Sequence, residues 1–317
     1  MDIETLPINL PDSLSKDLAD EVGTAIREQL SELISVAGFD LSLLEGVSVP
    51  TDLRQGLLAF NSGLGDEHNS GMRDTVNAKM VTTMRNGQLG AHVFFPLSSA
   101  TDLCSGDSGS RQTAQYVLAH ENAHCHDLLK RLEVMPADVR KYPIANPLSI
   151  CLQVSWNEYA ACRLSAFKMP TMVETMKEGL RQAVQGLRGV SKVAAQSFAP
   201  TQEGRQAALS IALDSSVAFL QAFSYALGHC RGLGISLNES LPENFVLLQA
   251  NPNCSTALQN IANELDALWA AYGEWPGFEA LNPLLEKICR FIFVSTGVGI
   301  KRHADQMSVG FVPTVGI

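Results

Sequence analysis

The segment His120-Glu121-Asn122-Ala123-His124 carries two histidines and a glutamate in the pattern H-E-x-x-H. On an α-helix four residues advance about 400°, so His124 lies about 40° round from His120 and one turn further along. Both imidazoles therefore converge on one point. Glu121, about 100° from His120, can reach a water at that point without being a ligand. This arrangement is typical of zinc hydrolases.

The sequence around this pentad favours a helix that carries both histidines. Residues 112–119 contain neither glycine nor proline, and Ser110 just before them can cap a helix N-terminus. Leu128, Leu129 and Leu132 continue an apolar side beyond the pentad. We therefore predict one helix through His120 and His124. The alternative is a chance match whose histidines only have a structural role.

Two histidines leave a catalytic zinc site short of a ligand, because such sites normally have three protein ligands and one open position. The pattern H-E-x-x-H-x-x-G-x-x-H would need glycine at 127 and histidine at 130, but the chain has Asp127 and Lys130, which excludes the metzincin branch. The acidic residues downstream that could complete the site are Asp127, Glu133, Asp138, Glu158 and Glu174.

Three of these carboxylates are poorly placed to be ligands. Asp127 lies nearly above His120 on the same helix, where it is better suited to orient a ligand than to bind the ion. Glu133 and Asp138 flank Pro136, where the helix should end.

His126 points about 120° away from His120, so we expect it to orient a ligand or to lie on the surface.

Glu158 is the best candidate for the third ligand. It lies in residues 154–167, a second helical run whose small residues allow close packing on a neighbour. A carboxylate from a second helix can close a tetrahedral site with two histidines, although a solvated helix carboxylate is the simpler alternative. The sequence thus predicts that His120, His124 and Glu158 bind Zn²⁺ and that Glu121 is the general base.

The same residues resemble a known family. The pentad is followed by Asn157-Glu158-Tyr159-Ala160-Ala161 and then by the segment 166–170, which ends in Met-Pro. This order is similar to that of the gluzincin metallopeptidases, and most similar to the ImmA/IrrE-type group, over roughly residues 75–170. Where many gluzincins have an aspartate four residues after the ligand glutamate, this chain has a cysteine, at position 162.

The resemblance implies a zincin-like core, one zinc per chain and hydrolysis of peptide bonds in a peptide or protein. It also implies a tyrosine, histidine or arginine that stabilises the developing oxyanion. Four candidates for that role stay open: Tyr142, Tyr225, His229 and His303.

A β-hairpin is predicted just before the pentad helix. Residues 78–85 and 88–95 flank Asn86-Gly87, the dipeptide best suited to a two-residue type I′ turn, and Pro96 ends the second strand. We expect these strands to form a small antiparallel sheet. Its edge could hold an extended peptide by main-chain hydrogen bonds, although ordinary structural pairing accounts equally well for a hairpin.

The remaining sequence predicts a mostly helical α+β protein. An N-terminal helix near 12–37 is followed by a short strand at 46–49 and a loop at 61–73. After Pro170 the patterns are helical, at about 171–198, 202–231, 254–272 and 279–296. We predict two domains, a zincin-like lobe over residues 1–170 and a helical C-terminal lobe over residues 171–317.

Composition limits where the protein works and what it binds. Residues 1–4 are acidic and do not resemble a signal peptide. The apolar stretches near 207–230 and 288–300 are interrupted by Asp214 and Gln221 or are too short for a bilayer, which predicts a soluble protein without a membrane partner.

Charge and cysteine content indicate the compartment of the protein and exclude one class of partner. The seven cysteines show no C-x-x-C spacing and indicate reduced thiols in the cytoplasm. A net charge of -10 argues against nucleic acid as a partner.

Three functions fit this sequence, and the oligomeric state stays open. The first is a cytoplasmic zinc metallopeptidase. The second is a zinc-binding sensor or protein-interaction module of the same fold without robust proteolytic activity. The third is a helical scaffold with a fortuitous motif and no metal.

Overall fold

The computed structural model describes residues 2–63, 78–134, 147–236, 252–303 and 306–311. Across these ranges the chain is mostly helical and has a small mixed sheet, so the predicted α+β class is confirmed. Contacts divide the chain into two compact units, Met1–Glu133 with Leu164–Pro170 and Val134–Arg163 with Thr171–Ile317. The proposed domain boundary at residue 170 stays a prediction.

The first unit combines four helices with one sheet among its described residues. The helices are α1 (Lys16–Ser35), α2 (Leu53–Ala59), α3 (Leu97–Asp102) and α4 (Ser108–Val134). The strands are β1 (Ile8–Asn9), β2 (Leu44–Ser48), β3 (Lys79–Arg85) and β4 (Gln88–Phe94).

Helix α1 follows the predicted periodicity. Ser15 caps its start, and its buried apolar side chains recur every three or four residues: Val22, Ile26, Leu30 and Leu33. The predicted loop at 61–73 lies mostly outside the described residues, from residue 64 onward.

The sheet of the first unit has the strand order β1-β2-β4-β3. Strands β3 and β4 form the predicted antiparallel hairpin, with Lys79 opposite Phe94. Its turn residues Asn86 and Gly87 have φ values of 50° and 78°, as a type I′ turn requires. The sheet is mixed, however, and not antiparallel as predicted, because β2 pairs in parallel with both β1 and β4.

The described residues of the second unit form helices and one hairpin. Its helices are α5 (Pro147–Ser165, whose last two residues belong to the first unit), α6 (Met172–Leu187), α7 (Val190–Ser197), α8 (Gln202–Gly232), α9 (Pro252–Ala270) and α10 (Asn282–Thr296). Short 3-10 helices occupy Ala166–Lys168, in the first unit, and Phe278–Leu281.

Two features of this unit differ from the prediction. The helix predicted over 171–198 is broken at Gly189, whose φ of 78° is incompatible with a continuous helix and separates α6 from α7. An antiparallel hairpin of β5 (Val298–His303) and β6 (Gln306–Phe311) follows α10, and the sequence did not predict it.

Helix α8 is the one described helix that is long and apolar enough, over a window of 18 residues, to cross a membrane. Half of that window is buried inside the protein, and core helices of soluble proteins meet the same criterion. By length and composition, Asp214 and Gln221 therefore do not exclude a membrane-spanning helix, contrary to the expectation from the sequence.

Candidate metal centre

His120 and His124 lie one turn apart on α4 and are both buried. Their Nε2 atoms are 3.2 Å apart, and the two rings stand nearly perpendicular, at 86°. In a tetrahedral zinc site, Zn–N bonds of about 2.0–2.1 Å place two nitrogens about 3.3–3.4 Å apart. The two imidazoles therefore fit one ion with almost no rearrangement.

Glu121 lies between these histidines in sequence, but its carboxylate contacts a different element. Oε2 accepts a hydrogen bond of 2.5 Å from the backbone N–H of Met80 on β3, the terminal strand of the sheet. The Glu121 side chain is buried as well. Burial lowers the pKa of the neighbouring Lys79, and the negative charge of Glu121 acts in the opposite direction.

The structure brings the three predicted ligands together. Among the described residues, one group of histidine, cysteine, aspartate or glutamate side chains could hold a metal ion, and it consists of His120, His124 and Glu158. One potential ligand atom of each lies within 4.8 Å of the other two. Their donor set, two imidazole nitrogens and a carboxylate oxygen, is one that Zn²⁺ accepts in catalytic sites.

Glu158 itself is half-buried on α5 and has a hydrogen-bond partner on α8. The side-chain amide of Gln221 donates to Glu158 Oε1 over 3.5 Å and to the hydroxyl of Tyr225 over 3.2 Å. Residues Trp156 and Tyr159 on either side of Glu158 are buried in the core of the second unit. Helix α5 is thus fixed by its apolar neighbours.

The other acidic candidates have partners elsewhere. Asp127 is fully buried and pairs with Arg131 Nε at 2.9 Å on the next turn of α4. Glu133 pairs with Lys130, and the exposed Glu174 pairs with Lys177. Asp138 lies outside the described residues.

His126 is buried. The surface position, which was one of the two alternatives expected for it, is therefore wrong. Its Nδ1 accepts a hydrogen bond of 2.9 Å from the backbone N–H of Asp40, and its ring stacks on Phe39. Burial lowers the pKa of His126. The neutral ring therefore anchors the segment around Asp40 to α4.

The four candidates for oxyanion stabilisation fall into two groups. Tyr142 and the side chain of His303 lie outside the described part of the chain. Tyr225 and His229 are both on α8, where the Tyr225 hydroxyl accepts from Gln221 and His229 is fully buried. Tyr225 is therefore connected to Glu158 through a single amide.

Sequence reasoning missed two partners of the predicted site. The donor to Glu121 is a main-chain N–H, which any residue other than proline would supply at position 80, so the residue type does not reveal it. Gln221 is 63 positions from Glu158, and its only sequence signal is an amide within an apolar run.

Comparisons of the chain with protein-family models, with curated proteins and with solved structures found no match. The resemblance to gluzincins therefore stays a prediction. The case for a function depends on the geometry of the site itself.

Proposed function

We propose that this chain is a zinc-dependent metallopeptidase of gluzincin type in which His120, His124 and Glu158 hold one Zn²⁺ and Glu121 is the general base. The observation that carries the proposal is the 3.2 Å separation of the two Nε2 atoms on α4. This value is close to the about 3.3–3.4 Å expected for two nitrogens in a tetrahedral zinc shell. Glu158 supports it as the third member of the same group.

Each residue has a distinct task in this proposal. When bound, zinc would polarise a substrate carbonyl and lower the pKa of a water beside it. Glu121 accepts a proton from the attacking water and delivers it to the departing amine. The hydrogen bond from Met80 N–H holds the Glu121 carboxylate in one orientation, so the base does not have to be ordered during the reaction.

The sheet supports a peptide or protein as the substrate. Strand β3 is the terminal strand of the described sheet, and the backbone of its residue Met80 contacts the proposed base. Two N–H groups of β3 already have partners outside the sheet, because Met80 donates to Glu121 and Met84 donates to the carbonyl of Ser62. An extended peptide could pair with the remaining main-chain groups of this edge, which recognise the backbone without reading much sequence. A zincin-like arrangement of strand and helix in the first unit is part of this proposal.

We further propose a reducing, cytoplasmic compartment. All seven cysteines are free thiols, and five of them are buried. Burial raises the pKa of both Cys125 and Cys151 to about 12, which keeps these thiols protonated and unreactive. The number and placement of the cysteines thus support structural roles in the absence of disulfides.

The metal content of the purified protein tests the site. We expect about one zinc per chain after dialysis, because the three side chains complete a catalytic shell. His124→Ala should remove most of the zinc, since only two protein ligands remain.

Glu158→Gln should weaken zinc retention, whereas Glu174→Gln, a matched change at an exposed glutamate, should leave it unchanged. Elemental analysis of the four proteins makes the comparison. Equal zinc in the parent and in His124→Ala would disprove the assignment. The sensor or interaction module becomes the better function if zinc is bound but no peptide is cleaved.

A further inference from the structure

We propose that Gln221 is the positioning residue of the metal ligand Glu158, a role that rests on the proposed zinc site. Its side-chain amide donates to Glu158 Oε1 over 3.5 Å and to the Tyr225 hydroxyl over 3.2 Å. A primary amide carries two N–H donors and can make both contacts at once. Carboxylate ligands generally need such a hydrogen bond to hold their orientation towards the ion.

Helix packing brings this amide to Glu158. A Cβ atom on Gly228 would lie 2.3 Å from the carbonyl oxygen of Tyr159, so α8 approaches the backbone of α5 at a distance that only glycine allows. Gln221 and Gly228 are seven residues apart, about 700° of helix, and so lie on the same face of α8. The packing of this face of α8 on α5 brings the Gln221 amide to within 3.5 Å of the Glu158 carboxylate.

The surroundings explain why an amide at this position has a role beyond packing. Gln221 is half-buried in an apolar stretch of α8 that contributes Phe219, Leu220 and Phe223 to the core. A polar group among such neighbours is unfavourable unless it is hydrogen-bonded, and leucine or methionine would fill a similar volume. Glutamine is also uncharged. It can therefore orient the Glu158 carboxylate without competing with the metal ion for its negative charge, as a lysine would.

Replacement of Gln221 by methionine tests the inference, because methionine keeps the length of the side chain and removes both donors. We expect the variant to bind zinc about 10–100-fold more weakly, the usual effect of losing an outer partner of a metal ligand. Gln206→Met, at an exposed position of the same helix, is the matched control and should bind zinc like the parent. Zinc affinity is measured by competition with a chromophoric chelator.

Two further measurements separate positioning from simple packing. The visible absorption of the Co²⁺-substituted protein reports ligand geometry, and we expect Gln221→Met to change it and Gln206→Met to leave it as in the parent. The melting temperature of the metal-free proteins shows whether the substitution damages the fold. One combination of results for Gln221→Met would overturn the inference. In it, zinc binding is weaker, the Co²⁺ spectrum is unchanged, and the metal-free protein loses as much stability as zinc binding does. Gln221 would then have only a packing role.

Failure of the inference and failure of the proposed function remain distinguishable. If the parent binds zinc and Gln221→Met binds it equally well with the same Co²⁺ spectrum, Gln221 does not position Glu158, but the metal site stands. If the parent itself binds neither zinc nor Co²⁺, the proposed function is wrong, and the inference falls with it.

Discussion

Glu121 and its neighbours His120 and His124 are all buried on one helix, yet their side chains contact different partners. The imidazole nitrogens face each other at 3.2 Å, whereas the carboxylate is held by the backbone N–H of Met80. A glutamate that is anchored by a main-chain donor does not need a metal ion for its orientation. This difference supports a base at position 121 and ligands at 120 and 124.

Replacement of Glu121 by glutamine tests this division of roles. Glutamine keeps the size of the side chain and an oxygen that can accept the Met80 hydrogen bond, but it cannot take a proton from water. We expect unchanged zinc content and melting temperature with turnover reduced by roughly 10²–10⁴, the usual contribution of a general base. The assay is cleavage of a proteome-derived peptide library, followed by mass spectrometry.

Glu133→Gln is the control for this prediction, because Glu133 is exposed on the same helix and pairs only with a surface lysine in the described contacts. Its turnover should match that of the parent. Cleavage by Glu121→Gln at the parental rate would rule out the proposed mechanism, and a zinc-binding interaction module would then explain the site better.

At the scale of the elements, the contact between α5 and α8 depends on one glycine. Gly228→Ala would put a methyl group 2.3 Å from the carbonyl oxygen of Tyr159, and this backbone atom can only give way if a helix moves. Overpacking of this kind costs about 1–3 kcal/mol. The higher helix propensity of alanine offsets about 1 kcal/mol of that cost. We therefore expect a net loss of stability in chemical denaturation.

Gly179→Ala is the matched control on α6, where a Cβ atom would meet nothing within 4 Å apart from the adjacent residues and backbone of its own helix. There the same substitution should stabilise the protein by up to about 1 kcal/mol, through helix propensity alone. Equal effects of the two substitutions would contradict the tight contact at Gly228.

Helix α1 and the β3–β4 hairpin were predictable because their signals are local. The spacing of Val22, Ile26 and Leu30 indicates α1, and Asn86-Gly87 indicates the turn between β3 and β4. The parallel pairing of β2 with β4 was not predictable, because these strands are not consecutive and an isolated strand pattern does not encode its orientation.

The candidate site also has residues that the sequence predicts and a residue that it does not. His120, Glu121 and His124 follow from helical spacing, and Glu158 follows from the need for a carboxylate on another helix. Its partner Gln221 is 63 positions away, where no periodic pattern connects the two residues. Long-range contacts of this type follow from packing and have no sequence signature of their own.

At the scale of the whole molecule, the apolar composition of α8 is explained by packing within its own unit. Phe219 and Phe223 are fully buried, and Phe219 stacks on Phe291 of α10 at a centroid distance of 5.0 Å. Ala208, Ala212 and Leu227 belong to the same core. A long apolar helix in this chain is therefore a structural element of the unit that also carries Glu158.

Removal of the metal should lower the thermal stability of the protein as a whole. A ligand that binds only the folded state adds RT ln(1 + [L]/Kd), about 2.7 kcal/mol when its free concentration is a hundred times Kd. For large domains each kcal/mol shifts the melting temperature by about 2–4 °C, so a chelator should lower it by roughly 5–10 °C. His124→Ala, which lacks a ligand, should melt at the same temperature with and without the chelator. The contrary result is a parent protein whose melting temperature does not change with the chelator although zinc analysis proves that the ion has been removed. In that case these side chains do not link zinc binding to folding. The ligands of the ion must then be sought elsewhere in the chain.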